Sequence, residues 1–404
     1  MHRPVPQGRR HRWLTRNIAA IALLSLFSDM SHEMVTAVLP FFVISIGGTA
    51  AALGLIEGVS DFIASVAKIG ISHYSDKIGR RKPILIAGYA LTAVKGVMAF
   101  ATAVSTVLVI RTFAWLGRGM RGPVRDALLA ESVAPEYTGR AFGLHRAADT
   151  LGAILGPAVA LGLLSLAVSY RNIFLVSLIP GAVTLFIVLF MVQDRPGLTG
   201  HGKTLMQSLR ALPTEFRRFV AAVGVFGLGN FGHTLLILRA QELLAPTWGT
   251  ERADAWALGL YVLFNAVYAA GSYPAGVWSE RLGKRRILGL GYLLFALMCV
   301  GFLVVAGSIP GLAVLFAVGG LYVAFVDAME GALAADLLPP PVYGTGYGVL
   351  GTVNGLGDLL SSAIVGFLWA RVSVTGGFVY ALVLTALGGI LLLTLVRDER
   401  TAKR

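Results

Sequence analysis

The stretch Ser75–Pro83, which reads SDKIGRRKP, decides the fold of this chain of 404 residues. It carries five charges within eight residues, although only 14% of all residues are charged and 56% are hydrophobic. Soluble domains carry about 25% charged residues. Apolar runs of about twenty residues flank this stretch and recur along the chain, and each is long enough to cross a bilayer as a helix. The composition therefore predicts an all-α membrane protein with many spans.

The apolar runs predict twelve transmembrane helices in two six-helix bundles. The polar segment 194–217 divides them six and six. The organisation predicted is a tail over 1–16, a bundle over 17–193, a linker over 194–217, a bundle over 218–396 and a tail over 397–404. The predicted spans are 17–45, 52–74, 83–103, 105–130, 140–168, 172–193, 218–243, 253–279, 287–306, 309–337, 343–370 and 374–396.

The basic residues predict the orientation of these spans. Of 34 Lys and Arg, 23 lie in the tails and connections on one side of the twelve spans, and three lie in the connections on the other. Basic loops stay in the cytosol, so both termini and the linker are predicted to be cytosolic, in the cytoplasmic (inner) membrane. This bias accounts for the net charge of +13 without nucleic acid as a partner. No cleavable signal peptide is recognised before the first span.

The charged stretch is repeated in the second half of the chain. SERLGKRRI, Ser279–Ile287, matches it at an offset of 204 residues, and ADLLPPPVYGTGYG, 335–348, matches AESVAPEYTGRAFG, 130–143, at an offset of 205. The second alignment places Asp149 opposite Asn354 and Gly152 opposite Gly357. Two halves of the same topology are typical of a transporter whose site lies between them.

These motifs resemble the signatures of the major facilitator superfamily over nearly the whole chain. The matching positions are Asp76, Gly79, Arg80 and Arg81 between spans 2 and 3, Arg111, Gly117 and Gly119 on span 4, Gly152, Gly156 and Pro157 on span 5, and the turn Pro135–Ala141. The span 5 motif resembles the signature of antiporters. The resemblance implies secondary active transport by alternating access, with glycines 152 and 156 and the following proline at an interface between the bundles. Plain close packing is the alternative for these three residues.

The charged connections are predicted to form a cytosolic gate. Asp76 is placed to meet the N-terminus of span 11, where unpaired N–H groups and the helix dipole favour an anion. The alternative is an anchor that only fixes topology. The predicted gate residues are Asp76, Arg80, Arg81, Arg125, Asp126, Glu131, Arg140, Glu280, Asp327 and Glu330.

Acidic residues inside spans are candidates for proton coupling, because charges are costly in lipid and are usually functional there. Asp29 and Glu33 are four residues apart and share a helix face. Their competing cation is predicted to be Arg118 or Arg111, and the alternative is a permanent ion pair between spans 1 and 4. The complete predicted set of proton-coupling residues is Asp29, Glu33, Asp61 and Asp149.

The arginines of span 4 lie close to one helical stripe, which favours either an organic anion in the cavity or internal pairing with acids. The predicted cavity residues are His32, Arg111, Arg118, His145, Arg146, Asn230, His233, Asn265, Asn354 and Asp358.

The function predicted is transport of a small organic solute, by proton-coupled export of a drug-like compound or metabolite. One alternative is transport of an organic anion through the span 4 arginines. The other is a polytopic membrane enzyme or sensor, which the duplication disfavours. We expect a monomer in the lipid bilayer that uses the proton gradient and no cofactor. Cys299 is the only cysteine, so a cysteine-based metal site is not predicted.

Overall fold

The computed structural model describes residues 14–78, 80–132, 138–194, 212–338 and 343–396, which are helical and contain no strand. We number the helices by the predicted spans. They are α1 (Arg16–Ser45), α2 (Ala50–Ile78), α3 (Lys82–Ala93, continued by a 3-10 helix Val94–Phe100), α4 (Val104–Glu131), α5 (Thr138–Ser165), α6 (Tyr170–Val176 and Leu178–Phe190), α7 (Thr214–Gly227 and His233–Trp248), α8 (Thr250–Leu282), α9 (Lys284–Val304), α10 (Ile309–Leu337), α11 (Tyr343–Arg371) and α12 (Val374–Leu395).

Ten of these elements are long and apolar enough to cross a membrane, counted over the described residues. The two exceptions are α4 and α7. Helix α4 falls short because Arg111, Arg118, Arg121 and Arg125 lower its hydropathy. Helix α7 is excluded because it is interrupted between its two segments, each shorter than a span. The spans predicted for α3 and α6 are confirmed as candidate spans over Lys82–Phe100 and Tyr170–Phe190, although α3 ends as a 3-10 helix and α6 is interrupted at Ser177. The break in α7 was not predicted.

The interruption of α7 is stabilised by two serines on α11. The Ser361 hydroxyl donates to the carbonyl oxygen of Asn230 at 2.7 Å, and the Gly232 N–H donates to Ser362 Oγ at 3.0 Å. Both serines are buried. Backbone groups released from a helix at membrane depth need such partners, so these bonds allow an irregular backbone next to a cavity. The break therefore places the polar residues between the two α7 segments at the centre of the molecule.

The twelve helices form two halves, α1–α6 and α7–α12, with matching contacts. Between the halves, α2 packs on α11 and α5 packs on α8, and exchanging the halves converts one contact into the other. Within the halves, a Cβ on Gly152 of α5 would collide with the Leu26 carbonyl of α1. A Cβ on Gly357 of α11 would lie 2.9 Å from the Gly227 backbone of α7. The two aligned glycines thus make equivalent contacts in the two halves.

These contacts correct the prediction for Gly152 and Gly156. A Cβ on Gly156 would lie 2.6 Å from the Met30 carbonyl oxygen of α1. The two glycines therefore lie at the α1–α5 contact inside the N-terminal half, which matches the alternative of close packing and not the predicted interface between the bundles. The role of Pro157, which follows them on α5, stays a prediction. Glycines that allow the close approach of α2 and α11 include Gly54 and Gly58 of α2 and Gly355 and Gly366 of α11.

The two ends of the helical bundle differ in how tightly the halves meet. We call the end where α1 begins and α12 ends the terminal face, and the opposite end, with the connections α1–α2 and α11–α12, the loop face. Gly54 lies against the Ser362 carbonyl, and a Cβ on Gly366 would lie 2.5 Å from the Ala50 carbonyl oxygen, both towards the loop face. There one apolar core continues from Phe42 into the C-terminal half. The terminal-face end of the N-terminal half has a separate core, so the halves are closed at the loop face.

Candidate functional site

A polar cavity of about 370 Å³ lies between the two halves. Its walls come from α1, α2 and α4 on one side and from α7, α8, α10 and α11 on the other. It ends towards the terminal face at Lys68, which is solvent-exposed. The predicted site residues that line it are His32, Glu33, Asp61, Arg111, Arg118, Asn230, His233 and Asp358. The structure thus brings these predicted residues together from both halves.

The most deeply buried charged groups of the cavity wall form an ion pair between α4 and α2. The Arg111 guanidinium donates to both carboxylate oxygens of Glu57, at 2.8 and 3.0 Å. Arg111 is fully buried and Glu57 is 5% exposed. Arg111 also donates to Thr36 Oγ1 at 3.3 Å and lies 3.6 Å from the centre of the Trp115 ring. Arg111 is therefore paired with Glu57, which leaves Arg118 as the candidate for the competing cation among the two alternatives predicted.

Trp115 organises the N-terminal wall of the cavity. Its indole N–H donates to Asp61 Oδ1 at 2.5 Å, and its ring lies 4.4 Å from the His32 ring. Arg118 lies one turn further along α4, 5.9 Å from the same ring. Within the described ranges Arg118 makes neither an ion pair nor a hydrogen bond, and the same holds for Lys68. Two unpaired cations of the N-terminal half thus face the cavity.

The C-terminal wall is mostly uncharged. The Tyr322 hydroxyl donates to Asn230 Oδ1 at 3.2 Å and lies 3.3 Å from His233 Nε2. The charged residue of the C-terminal wall is Asp358, whose carboxylate has no hydrogen bond or ion pair among the described residues. The two walls are linked by the Tyr261 hydroxyl of α8, which donates to Glu33 Oε2 of α1 at 2.8 Å.

Six predicted residues lie outside the cavity lining: Asp29, Asp149, His145, Arg146, Asn265 and Asn354. Asp29 is 3.7 Å from the Arg121 guanidinium, so its nearest cation is neither Arg118 nor Arg111. Asp149 is 3.4 Å from the exposed Arg146 on the same helix. Asp29 and Asp149 therefore lie outside the cavity lining, and their role in proton coupling stays a prediction.

The remaining three residues bond to their own half. The Asn265 amide donates to the Tyr261 carbonyl at 3.0 Å, and Asn354 donates to Glu330. His145 Nδ1 lies 2.6 Å from Ser25 Oγ. None of the three lines the cavity, although Asn265 bonds to Tyr261, which does.

The described gate residues make contacts inside each half at the terminal face. Arg81 pairs with Glu131 at 3.0 Å, and its backbone N–H donates to Asp194 at 3.0 Å. In the second half Lys284 pairs with Asp336 at 2.7 Å. The repeated basic stretch thus binds an acid at the end of the fourth helix in both halves.

Other predicted gate residues also make their contacts within their own half. Arg125 pairs with the adjacent Asp126 at 3.1 Å, and Asp327 accepts from the Tyr268 hydroxyl at 2.9 Å. Glu330 bonds to Asn354 as described, and Arg80 is exposed. The side chains of Asp76, Arg140 and Glu280 lie outside the described residues. A role for this set as a gate remains a proposal.

The family description "Major Facilitator Superfamily" matches residues 21–244 and 220–404. The chain belongs to the major facilitator superfamily. It is a multi-pass membrane transporter and not an enzyme. An uncharacterized MFS-type transporter of Methanocaldococcus jannaschii is 33% identical over 384 residues, which cover 95% of each chain.

Solved structures share the fold of this transporter. A mutant of the nucleoside transporter NupG has a TM-score of 0.74 at 12% identity, covering 93% of this chain and 98% of that one. A bacterial homolog of the human lysosomal transporter Spinster, in an inward-facing and occupied conformation, has a TM-score of 0.73 at 15% identity, covering 96% and 97%. Members of the superfamily bind small-molecule substrates and generally need no cofactor. Among the described residues no group of three His, Cys, Asp or Glu could hold a metal ion.

Three important residues of the cavity were not among the predicted site residues: Glu57, Lys68 and Trp115. Glu57 and Lys68 are charges inside a predicted span, and this signal alone could have identified them. Trp115 carried no comparable signal, because an aromatic residue inside a span is most often a packing residue. Its central position depends on the packing of α4 against α1 and α2, which the sequence does not specify.

Proposed function

We propose that this transporter exports a small polar organic solute in exchange for protons, across the cytoplasmic membrane and with both termini in the cytosol. The observation that carries the proposal is that carboxylates of both halves and an unpaired arginine share one cavity. Glu33, Asp61 and Asp358 supply the carboxylates, and Arg118 is the arginine of the cavity lining that has no ion pair or hydrogen bond among the described residues. Charges at membrane depth that face a cavity are typical of proton and substrate pathways.

The size and lining of the cavity support a small polar solute. Ligand pockets usually measure about 300–1,000 Å³, and 370 Å³ is near the lower end. Apart from Asp358, the C-terminal wall is uncharged and offers hydrogen-bonding groups from Asn230, His233 and Tyr322. This environment favours a polar metabolite over a bulky lipophilic drug. The direction of transport rests on the resemblance of span 5 to the antiporter signature.

We assign Glu33 as the proton carrier and Arg118 as the competing cation. Glu33 lies at the contact between the halves, while Arg118 faces the same cavity without a fixed partner in the described part of the chain. A proton on Glu33 removes the negative charge that attracts Arg118, which then becomes available to the solute. Asp61 and Asp358 are the second acids at which a proton or a cationic group of the solute can bind.

A second candidate function is transport of an organic anion. It is favoured by the pair of unpaired cations, Arg118 and Lys68, on the same wall. An anionic group in a cavity of this kind would find two donors that no described protein acid occupies. The charge of the solute therefore separates the two candidates.

The test uses two series of three solutes, and within each series the members have similar shapes and differ in charge. The first series is benzoate, benzamide and benzylamine, and the second is hexanoate, hexanamide and hexylamine. Thermal stabilisation of the purified protein selects the solute, and flux in vesicles is then measured with an imposed pH gradient. We expect flux to follow the gradient and to stop when a protonophore is added. Flux that ignores the gradient would contradict proton coupling.

Replacing Arg118 by glutamine distinguishes the two candidates. For an anionic solute we expect the affinity to fall by about tenfold or more, because a charge-assisted hydrogen bond is lost. Arg371→Gln, at the exposed loop-face end of α11, is the matched control and should leave affinity unchanged. An equal loss for the anionic and the neutral member of a series would show that Arg118 does not bind the anionic group.

A further inference from the structure

We propose that Tyr261 is a positioning residue that couples the proton state of Glu33 to closure of the loop face. The inference rests on the proposed function, because it takes Glu33 as the proton carrier. Tyr261 belongs to the C-terminal half and Glu33 to the N-terminal half, so their hydrogen bond of 2.8 Å spans the contact that must open when the cavity turns to the loop face. Tyr261 is 4% exposed, and the Glu33 side chain is 13% exposed.

One face of α8 carries three residues whose side chains make hydrogen bonds to other helices. They are spaced seven residues apart, which is close to two helical turns. Asp254, nearest the loop face, accepts a hydrogen bond from Tyr170 of the N-terminal half. Tyr261, in the middle, donates to Glu33. Tyr268, nearest the terminal face, donates to Asp327 inside its own half. The hydrogen bonds of these three groups therefore cross between halves only where the halves are closed.

The strength of the central bond depends on one proton. A hydroxyl donating to a carboxylate makes a charge-assisted bond, about twice as strong as one to a neutral acid. Deprotonated Glu33 thus stabilises the closed loop face, and protonated Glu33 releases it. In an exchanger, the bond therefore keeps the solute-free, deprotonated transporter closed at the loop face until a solute binds Tyr261 or Glu33. A conformational cycle without bound solute is thereby prevented.

The surroundings of Glu33 allow this role. The neighbouring helix α5 approaches its Cβ with Gly156 and adds no charge there. Tyr261 is the group that reaches Glu33 from the opposite half with a hydrogen bond. The titratable and charged groups that face or act on Glu33 are His32 and Asp29 of its own helix, Arg111 and Arg118 of α4 and Tyr261 of α8, with His233 of α7 across the cavity.

The test measures the distance across the loop face between spin labels at Leu166→Cys and Val372→Cys, in a Cys299→Ala background. Both label positions are exposed and follow the loop-face ends of α5 and α11. For the otherwise wild-type protein we expect the fraction with a long distance to rise as pH falls. Tyr261→Phe should raise the open-to-closed ratio at high pH by about tenfold and flatten its pH dependence.

Two further variants make the result specific. Tyr292→Phe removes a buried hydroxyl that has no hydrogen-bond partner among the described residues, so its curve should match that of the wild type. Glu33→Gln leaves a neutral acceptor for Tyr261, so it should raise the open fraction at high pH less than Tyr261→Phe and flatten the pH dependence equally. Adding Tyr261→Phe to Glu33→Gln should have a smaller effect than in the wild type, because the charge-assisted part of the bond is already lost. A Tyr261→Phe curve that superimposes on the wild-type curve would overturn the inference.

Vesicle flux separates failure of this inference from failure of the proposed function. If Tyr261→Phe keeps the wild-type distance curve while solute flux follows the pH gradient, the inference fails and proton-coupled transport stands. If the distance curves behave as expected while wild-type flux ignores the gradient, Tyr261 still controls closure and proton-coupled transport fails.

Discussion

Replacing Glu57 by glutamine should destabilise the protein by about 3–5 kcal/mol, because it leaves the Arg111 guanidinium buried without a counter-charge. Arg111 is fully buried and Glu57 accepts both of its short hydrogen bonds. Thermal unfolding in detergent measures the effect, and we expect the melting temperature to fall by roughly 5 °C or more.

Two controls make this prediction specific. Glu215→Gln changes an acid paired with Arg218 at the surface, where an ion pair contributes only about 0–1 kcal/mol. The double variant Glu57→Gln with Arg111→Met removes both charges and should be more stable than Glu57→Gln alone. A melting temperature of Glu57→Gln equal to that of Glu215→Gln would show that the pair is not a structural element of the cavity wall.

Replacing Glu33 by glutamine should reduce net flux driven by a pH gradient by roughly 100-fold, while exchange of labelled for unlabelled solute at equal pH continues. The amide keeps the shape of the side chain but cannot carry a proton through the cycle. Solute exchange does not need that proton, so only the coupled process is lost. The two fluxes are measured in the same vesicles with the solute selected by thermal stabilisation.

The matched control for Glu33→Gln is Asp29→Asn, which changes an acid one turn away on α1. Asp29 lies outside the cavity lining and 3.7 Å from the Arg121 guanidinium, so we expect most of the pH-driven flux to remain. Full pH-driven flux in Glu33→Gln would show that another residue carries the proton. Asp61→Asn and Asp358→Asn would then be the next variants to measure.

Much of the fold could be predicted from the sequence because a bilayer leaves few choices. Runs of about twenty apolar residues must form helices there, and the duplicated charged stretch indicates that the halves share a topology. The interruption of α7 was missed because it depends on Ser361 and Ser362, which lie 131 and 130 residues from their partners in the sequence. Hydropathy along the chain carries no information about such partners.

The site was only partly predictable, for a related reason. The sequence identifies which charges are inside the spans, but pairing depends on helix rotation and on contacts between helices. Asp29 and Glu33 share a helix face, yet Glu33 meets Tyr261 of the opposite half and Asp29 lies near Arg121 of its own half. Gly156 looked like an interface residue, and its actual neighbour is α1.

The central claim is that one cavity between the two halves is exposed first at one face and then at the other, under the control of protons. Asn230→Cys in a Cys299→Ala background places a thiol on the cavity wall, and a membrane-impermeant anionic thiosulfonate is applied from either side of oriented vesicles. We predict labelling from the terminal face at high pH and increased labelling from the loop face as pH falls. Labelling from a single face at every pH would contradict the account.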